Sequence, residues 1–190
     1  MSKYVEFIDS YKNIFSNSRV SIPNLSNNFI LKESSSSAKL KEIEIRNVPK
    51  NSILIDLDNI NMGNYLKMVL NSSLGIFECC DYAIISLIND KIYCIFIELK
   101  SLKPDVRHVT NQLKGGDCFI DYCNSIIKNF LNFPKIDELN IQNRYILISQ
   151  KGFKRETKNR ASKYSSPEEF YHIGVGKVSS ADISFEKLIN

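Results

Sequence analysis

Residues 81–100, which read DYAIISLINDKIYCIFIELK, decide the fold of this chain. Two apolar runs, Tyr82 to Leu87 and Ile92 to Leu99, flank Asn89-Asp90, a dipeptide with the chemistry of a tight turn. Both runs are apolar on both faces, which is typical of central strands that are covered on two sides. The sequence therefore predicts a buried hairpin in the middle of a sheet.

Charged residues stand at the open end of this hairpin. Side chains alternate along a strand, so Glu98 and Lys100 share one face, and the turn folds Asp81 back towards Glu98. Charges at the margin of an apolar strand are unfavourable unless a metal or an opposite charge uses them, so such breaks in pattern concentrate at functional sites. Two convergent carboxylates with a backbone carbonyl suit Mg²⁺ or Mn²⁺ far better than Zn²⁺. Lys100 would then hold an attacking water or stabilise charge on a phosphoryl group.

A long helix is predicted after the second strand. Asp105 can cap its first turn, and apolar residues recur at helical spacing from Val106 to Phe130. Gly115 and Gly116 interrupt this pattern, so the helix either kinks there or presses closely against the sheet. Strand, strand, helix and a further strand then follow one another around the charged residues, which predicts a sheet flanked by helices in an α/β sandwich.

The remaining elements are predicted from the same two periodicities. A serine tract, Ser34 to Ser37, is interpreted as the tip of a hairpin. Helices are predicted over Tyr4 to Phe15, Tyr65 to Leu70 and Phe185 to Ile189, and strands over Phe29 to Leu31, Leu40 to Arg46, Ser52 to Asp56, Arg144 to Ser149 and Tyr171 to Val175.

The ordered set Asp81, hairpin, Glu98-Leu99-Lys100 and a helix carrying Gln112-Leu113-Lys114 resembles the PD-(D/E)XK nuclease superfamily. The resemblance covers residues 79–149. It implies a restriction endonuclease-like core, a central mixed β-sheet flanked by helices. It further implies that Asp81, Glu98 and the Leu99 carbonyl bind Mg²⁺, for which Mn²⁺ substitutes, that Lys100 is the catalytic lysine, and that Gln112 orients substrate or water. The activity implied is that of a magnesium-dependent endonuclease.

Two features depart from the pattern of the superfamily. The residue before Asp81 is Cys80 and not proline. Many members also place a glutamate on a helix before the aspartate, and Tyr65 to Leu70 offers none, so either a single metal is held or another carboxylate takes that place. The carboxylates available for this are Glu78, Glu44 and Asp56, although Asp56 with Asp58 is better interpreted as a turn at a strand end.

The length and the charge of the chain limit its domain organisation and its partners. With 190 residues, the chain is expected to form one nuclease domain, with an N-terminal helix and strands (1–75), a catalytic core (76–150) and a basic C-terminal segment (151–190). The net charge of +4 is mild, but cations cluster after Ser149. In a nuclease they would contact the phosphates of DNA, with a solvated loop as the alternative and RNA not excluded. These residues are Lys151, Lys154, Arg155, Lys158 and Arg160.

Other features of the sequence narrow the class of protein. Five cysteines without C-x-x-C spacing predict reduced, buried thiols. There is no apolar run of about 18 residues, so we expect a soluble cytoplasmic protein that is not in the membrane.

Its small size suggests a homodimer or the cutting subunit of a larger complex in restriction, repair or phage defence. His108 is expected at the surface without a catalytic role. A second hypothesis is a nuclease-like fold that only binds nucleic acid or a partner protein.

Overall fold

The computed structural model describes residues 2–15, 18–33, 35–58, 78–101, 104–150 and 164–190 of the chain. Within these ranges the protein is an α/β structure built on two sheets. The strands are β1 (Val20–Ser21), β2 (Phe29–Lys32), β3 (Glu42–Arg46), β4 (Ser52–Asp56), β5 (Tyr82–Ile88), β6 (Lys91–Lys100), β7 (Ile141–Ser149), β8 (Tyr171–Gly174) and β9 (Ser180–Ser184). The helices are α1 (Lys3–Ile14), α2 (Val106–Phe130) and α3 (Glu186–Ile189), with short 3₁₀ helices at Pro134–Glu138 and Pro167–Glu169.

The larger sheet has the strand order β1-β4-β5-β6-β7-β8. The pairs β1-β4, β4-β5 and β5-β6 are antiparallel. Strand β7 runs parallel to β6, and β8 runs parallel to β7. A parallel pair needs a long crossover between its strands, and α2 provides it between β6 and β7. The predicted central mixed sheet flanked by helices is therefore confirmed.

The larger sheet is covered on both faces, as the apolar composition of β5 and β6 predicts. On one face α1 and α2 pack against the sheet. On the other face lies a three-stranded sheet of order β2-β3-β9. Successive residues of β6 serve the two faces. The side chains towards the helices include Phe7, Ile55, Ala83, Phe96 and Leu113, and those towards the smaller sheet include Leu31, Ile43, Ile84, Ile97 and Ile148.

The central hairpin turns where the sequence predicts it. Asn89 and Asp90 both adopt positive φ, at 48° and 57°, which two-residue hairpin turns require and which Asn and Asp tolerate. The last pair of the ladder before the turn is Ile88 with Lys91. This register fixes which residues lie opposite each other at the open end of the hairpin.

Helix α2 is continuous through Gly115 and Gly116 and presses closely against the sheet there. Its N-terminus is capped as predicted, because Asp105 Oδ1 accepts a 2.9 Å hydrogen bond from the Arg107 backbone N–H. A Cβ atom on Gly115 would lie 1.6 Å from the Glu78 carbonyl oxygen, and one on Gly116 would lie 2.4 Å from Cys80 Sγ. The two glycines therefore let the backbone of α2 approach the segment that leads into Asp81.

Three sequence expectations are corrected or left aside. Phe130 is 79% exposed, because Ile127 is the last residue of α2 that reaches the core. The sequence pattern also missed β9, which pairs in parallel with β3 and brings the end of the chain to the smaller sheet. The helix predicted at 65–70 lies outside the described residues. Within the described ranges, no helix combines the length and apolar composition needed to cross a bilayer.

Candidate active site

Asp81 is fixed by its backbone and by its side chain. Its carbonyl oxygen accepts hydrogen bonds from the backbone N–H groups of Leu57 and Asp58, at 2.9 and 3.1 Å. Its side-chain Oδ2 accepts a 2.7 Å hydrogen bond from the backbone N–H of Leu99. The turn that follows β4 and the end of β6 therefore hold Asp81 between them, just before β5 begins.

Asp81 lies opposite Glu98. The antiparallel ladder pairs Ala83 with Phe96 and Tyr82 with Ile97, so the next residues outward are Asp81 and Glu98. Alternation places both on the face that α2 covers. Glu98 is fully buried, with 0% exposure, although it is a carboxylate at the end of a strand.

Lys100 forms an ion pair with Glu98. Its ammonium contacts Glu98 Oε1, and its side chain is 28% exposed. The sequence left open that these two residues are only an exposed salt bridge at a strand end. The ion pair is present, but it is not an exposed one, since one partner is removed from water entirely.

Gln112 reaches the same point from α2. A hydrogen bond from its side chain acts to lower the pKa of Glu98, so the two side chains are close neighbours. Its Oε1 is buried and accepts no hydrogen bond from the described residues. Glu98 Oε1 is contacted by the Lys100 ammonium. The side chains of Glu98, Gln112 and Lys100 therefore lie together at this point.

Burial shifts the titration of both carboxylates upward. Loss of solvent raises the pKa of Asp81 to about 7, while the Leu99 N–H and the Lys100 charge act to lower it. Burial and then the charge of Asp81 raise the pKa of Glu98 to about 8, against the lowering effect of Lys100 and Gln112. Each carboxylate therefore disfavours ionisation of the other, and they titrate as a pair.

The donor set fits one hard cation. The described residues contain no group of three or more His, Cys, Asp or Glu side chains that could hold a metal ion. A site here would therefore rest on Asp81, Glu98 and neutral oxygen atoms, a set that suits Mg²⁺. The buried Gln112 Oε1, which has no donor among the described residues, is the observation that such an ion would explain. The Leu99 carbonyl stays a predicted ligand, and its residue adjoins the site through the N–H that holds Asp81.

The carboxylates considered as replacements for the missing helix glutamate have other partners. Glu44 alternates with buried residues of β3, so it faces away from the core, and it pairs with Arg46 at 3.2 Å. Asp56 pairs with Arg19 at 3.5 Å. Glu78 pairs with His108 Nδ1 at 3.2 Å. The residues after β4 donate their backbone N–H groups to the Asp81 carbonyl, and the turn interpretation of Asp56 and Asp58 stays a prediction.

Two further charges lie near Asp81, and the sequence did not single them out for this site. The carboxylates of Glu33 and Asp58 both raise the pKa of Asp81. In the sequence, Asp58 was interpreted as part of a turn. Its position shortly after β4 was the feature that could have indicated that it lies near Asp81. Glu33 follows β2 without any pattern that connects it to the hairpin, so nothing in the sequence indicates its position.

A serine and a histidine continue the polar row across the sheet. Ser149 pairs with Lys100 in the ladder of β6 and β7, and its Oγ lies 2.8 Å from His172 Nε2. Ser149 is fully buried. His108, by contrast, is exposed as predicted, and its partner Glu78 was not foreseen. In the sequence, the position of Ser149 at the end of an apolar strand was the only feature that indicated a polar contact here.

The basic residues predicted to contact DNA, Lys151, Lys154, Arg155, Lys158 and Arg160, lie outside the described residues. After the basic stretch in the sequence, Glu168 pairs with Lys114 of α2 at 2.6 Å.

The five cysteines are free thiols. Cys80, Cys94 and Cys123 are buried, and Cys79 is partly buried. The prediction of buried thiols is wrong for Cys118, which is exposed because it lies on the outer face of α2.

Comparison with known proteins adds no relative to these observations. Protein-family models, curated proteins and solved structures were each searched with the chain, and none of them matches it.

Proposed function

We propose that this protein is a metal-dependent nuclease that hydrolyses phosphodiester bonds of DNA. One observation carries the proposal: Glu98 is fully buried, it lies opposite Asp81, and the Lys100 ammonium contacts it. A pair of facing carboxylates, one of them fully buried, is unfavourable for folding. Its presence is therefore best explained by a cation that the pair binds.

The residues have distinct roles in the proposed reaction. Asp81 and Glu98 would hold one Mg²⁺ through their carboxylate oxygens, with the Leu99 backbone beside them. When bound, the ion supplies Lewis acidity towards a phosphoryl oxygen and lowers the pKa of a water. The bond from Leu99 keeps Asp81 in place, so the carboxylate needs little reorganisation before it binds.

Lys100 acts on the substrate side of the site. In the protein without metal its ammonium balances Glu98, and its partial exposure leaves it a path to solvent. With a divalent cation held at Glu98, the Lys100 ammonium would be free to face the attacking water or the phosphoryl oxygens. There it orients the water and stabilises the charge that develops on the phosphate.

The choice of substrate rests on the resemblance and on charge. The cations at 151–160 follow β7, whose end adjoins Lys100, so they would continue the site along a nucleic-acid backbone. We favour DNA as the substrate, with RNA as the alternative. A homodimer or a larger complex in the cytoplasm, serving restriction, repair or phage defence, is part of the same proposal.

Cleavage assays test this function directly. Single-stranded DNA, duplex DNA and RNA would each be incubated with the protein and Mg²⁺, Mn²⁺ or EDTA, and the products separated by electrophoresis. We expect Mg²⁺-dependent cleavage that Lys100→Ala abolishes and that Lys91→Ala, at the exposed start of the same strand, leaves intact. Equal cleavage by wild type and Lys100→Ala, or none by the wild type on any substrate, would defeat the proposal.

A second candidate function is binding of nucleic acid or a partner protein without catalysis. The ion pair of Lys100 with Glu98 favours it, because a structural pair needs no metal. The two candidates differ in their response to Mg²⁺. A protein that only binds would retain DNA in the presence of EDTA and release no products when Mg²⁺ is added.

A further inference from the structure

The Gln112 side chain is hydrogen-bonded to Glu98, whereas its amide oxygen has no hydrogen-bond donor among the described residues. It lies in the second turn of α2, and α2 is held close to the sheet at Gly115 and Gly116. This contact fixes the side chain next to Glu98. Its Oε1 is buried, and no hydrogen-bond donor of the described residues reaches it.

A side-chain amide rarely leaves its oxygen buried without a donor, because the oxygen loses its bond to water and gains nothing in return. The neighbouring polar groups deepen the mismatch. Asp81 and Glu98 are acceptors when ionised, and the Lys100 ammonium is already paired with Glu98. The Gln112 oxygen is therefore the atom of this cluster that has no donor among the described residues. A hard cation would satisfy it, since one ion binds several oxygens at once.

We propose that Gln112 is a metal ligand, and that its amide oxygen completes the site formed by Asp81 and Glu98. The inference rests on the proposed function and assigns Gln112 a role other than the one that the resemblance implies, which is to orient substrate or water. A neutral third ligand also accounts for the absence of a third acidic or histidine ligand among the described residues.

Titration calorimetry with Mn²⁺, without nucleic acid, tests the assignment. Gln112→Met keeps the size of the side chain and removes its oxygen, whereas Gln112→Glu keeps an oxygen and adds a charge. We expect Gln112→Met to weaken Mn²⁺ binding by at least about tenfold. Gln112→Glu should bind Mn²⁺ at least as tightly as the wild type, because affinity rises with ligand charge. Asn111→Ala, one position earlier on α2, is the matched control and should bind like the wild type.

Thermal melting of each variant without metal confirms that α2 remains folded. The inference is overturned if Gln112→Met binds Mn²⁺ within twofold of the wild type, and slower cleavage by that variant would then support the orienting role. It is also overturned if Gln112→Glu binds as weakly as Gln112→Met. Absence of Mn²⁺ binding by the wild type would remove the proposed function together with the ligand. If the wild type binds Mn²⁺ and the variants show that Gln112 is not a ligand, only the role of Gln112 is overturned and the nuclease proposal is unaffected.

Discussion

Asp81 Oδ2 accepts a 2.7 Å hydrogen bond from the backbone N–H of Leu99. This bond joins the residue before β5 to the end of β6, so the Asp81 side chain is part of the framework and also a proposed ligand. The two roles depend on different properties. The hydrogen bond needs an oxygen acceptor, whereas metal binding needs the negative charge.

Asp81→Asn separates these roles. The amide oxygen of Asn can accept the bond from Leu99, so the fold should remain, and loss of a buried charge should leave the metal-free protein at least as stable as the wild type. Binding of Mg²⁺ and cleavage should both be lost. Melting temperatures with and without Mg²⁺ check this. Asp90→Asn at the other end of the hairpin is the control, and a Mg²⁺-dependent rise in the melting temperature of Asp81→Asn would contradict the prediction.

Lys100→Met should affect metal binding and cleavage differently. The ammonium competes with a cation for Glu98, so its removal should leave Mg²⁺ affinity at pH 8.5 unchanged or tighter. Cleavage should fall by about 10²- to 10⁴-fold, the usual effect of removing a group that positions or activates the attacking water. Calorimetry and single-turnover cleavage measure the two effects.

The matched control for Lys100→Met is Lys91→Met, since Lys91 is exposed at the first position of the same strand. This variant should bind Mg²⁺ and cut DNA like the wild type. If Lys100→Met weakened metal binding and cleavage in parallel, Lys100 would be supporting the shape of the site and not the reaction.

The hairpin and its charged end could be predicted because local signals agree there. The turn dipeptide sets the register, and the register together with alternation brings Asp81 opposite Glu98. The same local rules predict the cap at Asp105. These features depend on residues that are close in sequence or joined by one tight turn, so a single sequence carries the information.

The rest of the site depends on contacts between distant segments, which periodicity does not encode. The Asp81 carbonyl is bound by residues after β4, and the bond between Ser149 and His172 joins two strands. The sequence also predicts an apolar helix face as far as Phe130, yet only the sheet beneath the helix determines where burial ends. Burial of Glu98 likewise follows from the close approach of α2, which Gly115 and Gly116 suggested only as one of two alternatives.

Stability without metal should decrease as pH rises. The pKa values of Asp81 and Glu98 in the folded protein are about 7 and 8, above their ordinary values of 3.8 and 4.5. The folded state therefore holds more protons than the unfolded state between about pH 4 and 8, and its stability is lost through that window. We expect the melting temperature to fall from pH 5.5 to pH 8.5, and Mg²⁺ to restore it mainly at pH 8.5.

The double variant Asp81→Asn, Glu98→Gln isolates the contribution of this pair from other titrating groups. Its melting temperature should fall less with pH than that of the wild type and should not respond to Mg²⁺. An equal fall in wild type and double variant would show that the pair does not cause the pH dependence. A Mg²⁺ effect that is larger at pH 5.5 than at pH 8.5 would contradict competition between the ion and protons.

Gly115→Ala tests whether the close approach of α2 positions the site. The added Cβ would lie 1.6 Å from the Glu78 carbonyl oxygen, which is backbone and has no flexible end that can move aside. Either α2 or the segment from Glu78 to Asp81 must shift. Overpacking of this kind costs about 1–3 kcal/mol, and it opposes the gain of about 1 kcal/mol that Ala brings to a helix.

We therefore expect Gly115→Ala to lower the free energy of unfolding in urea and to weaken Mg²⁺ binding, because Asp81 follows Glu78 by three residues. Ser125→Ala is the control, since Ser125 is exposed on the same helix and its change affects helix propensity without adding a contact to the sheet. If Gly115→Ala were as stable as the wild type, the helix would have room to move, and the placement of Gln112 beside Glu98 would have to depend on something other than this contact. Reduced stability with unchanged Mg²⁺ affinity would show that the shift is absorbed before it reaches Asp81.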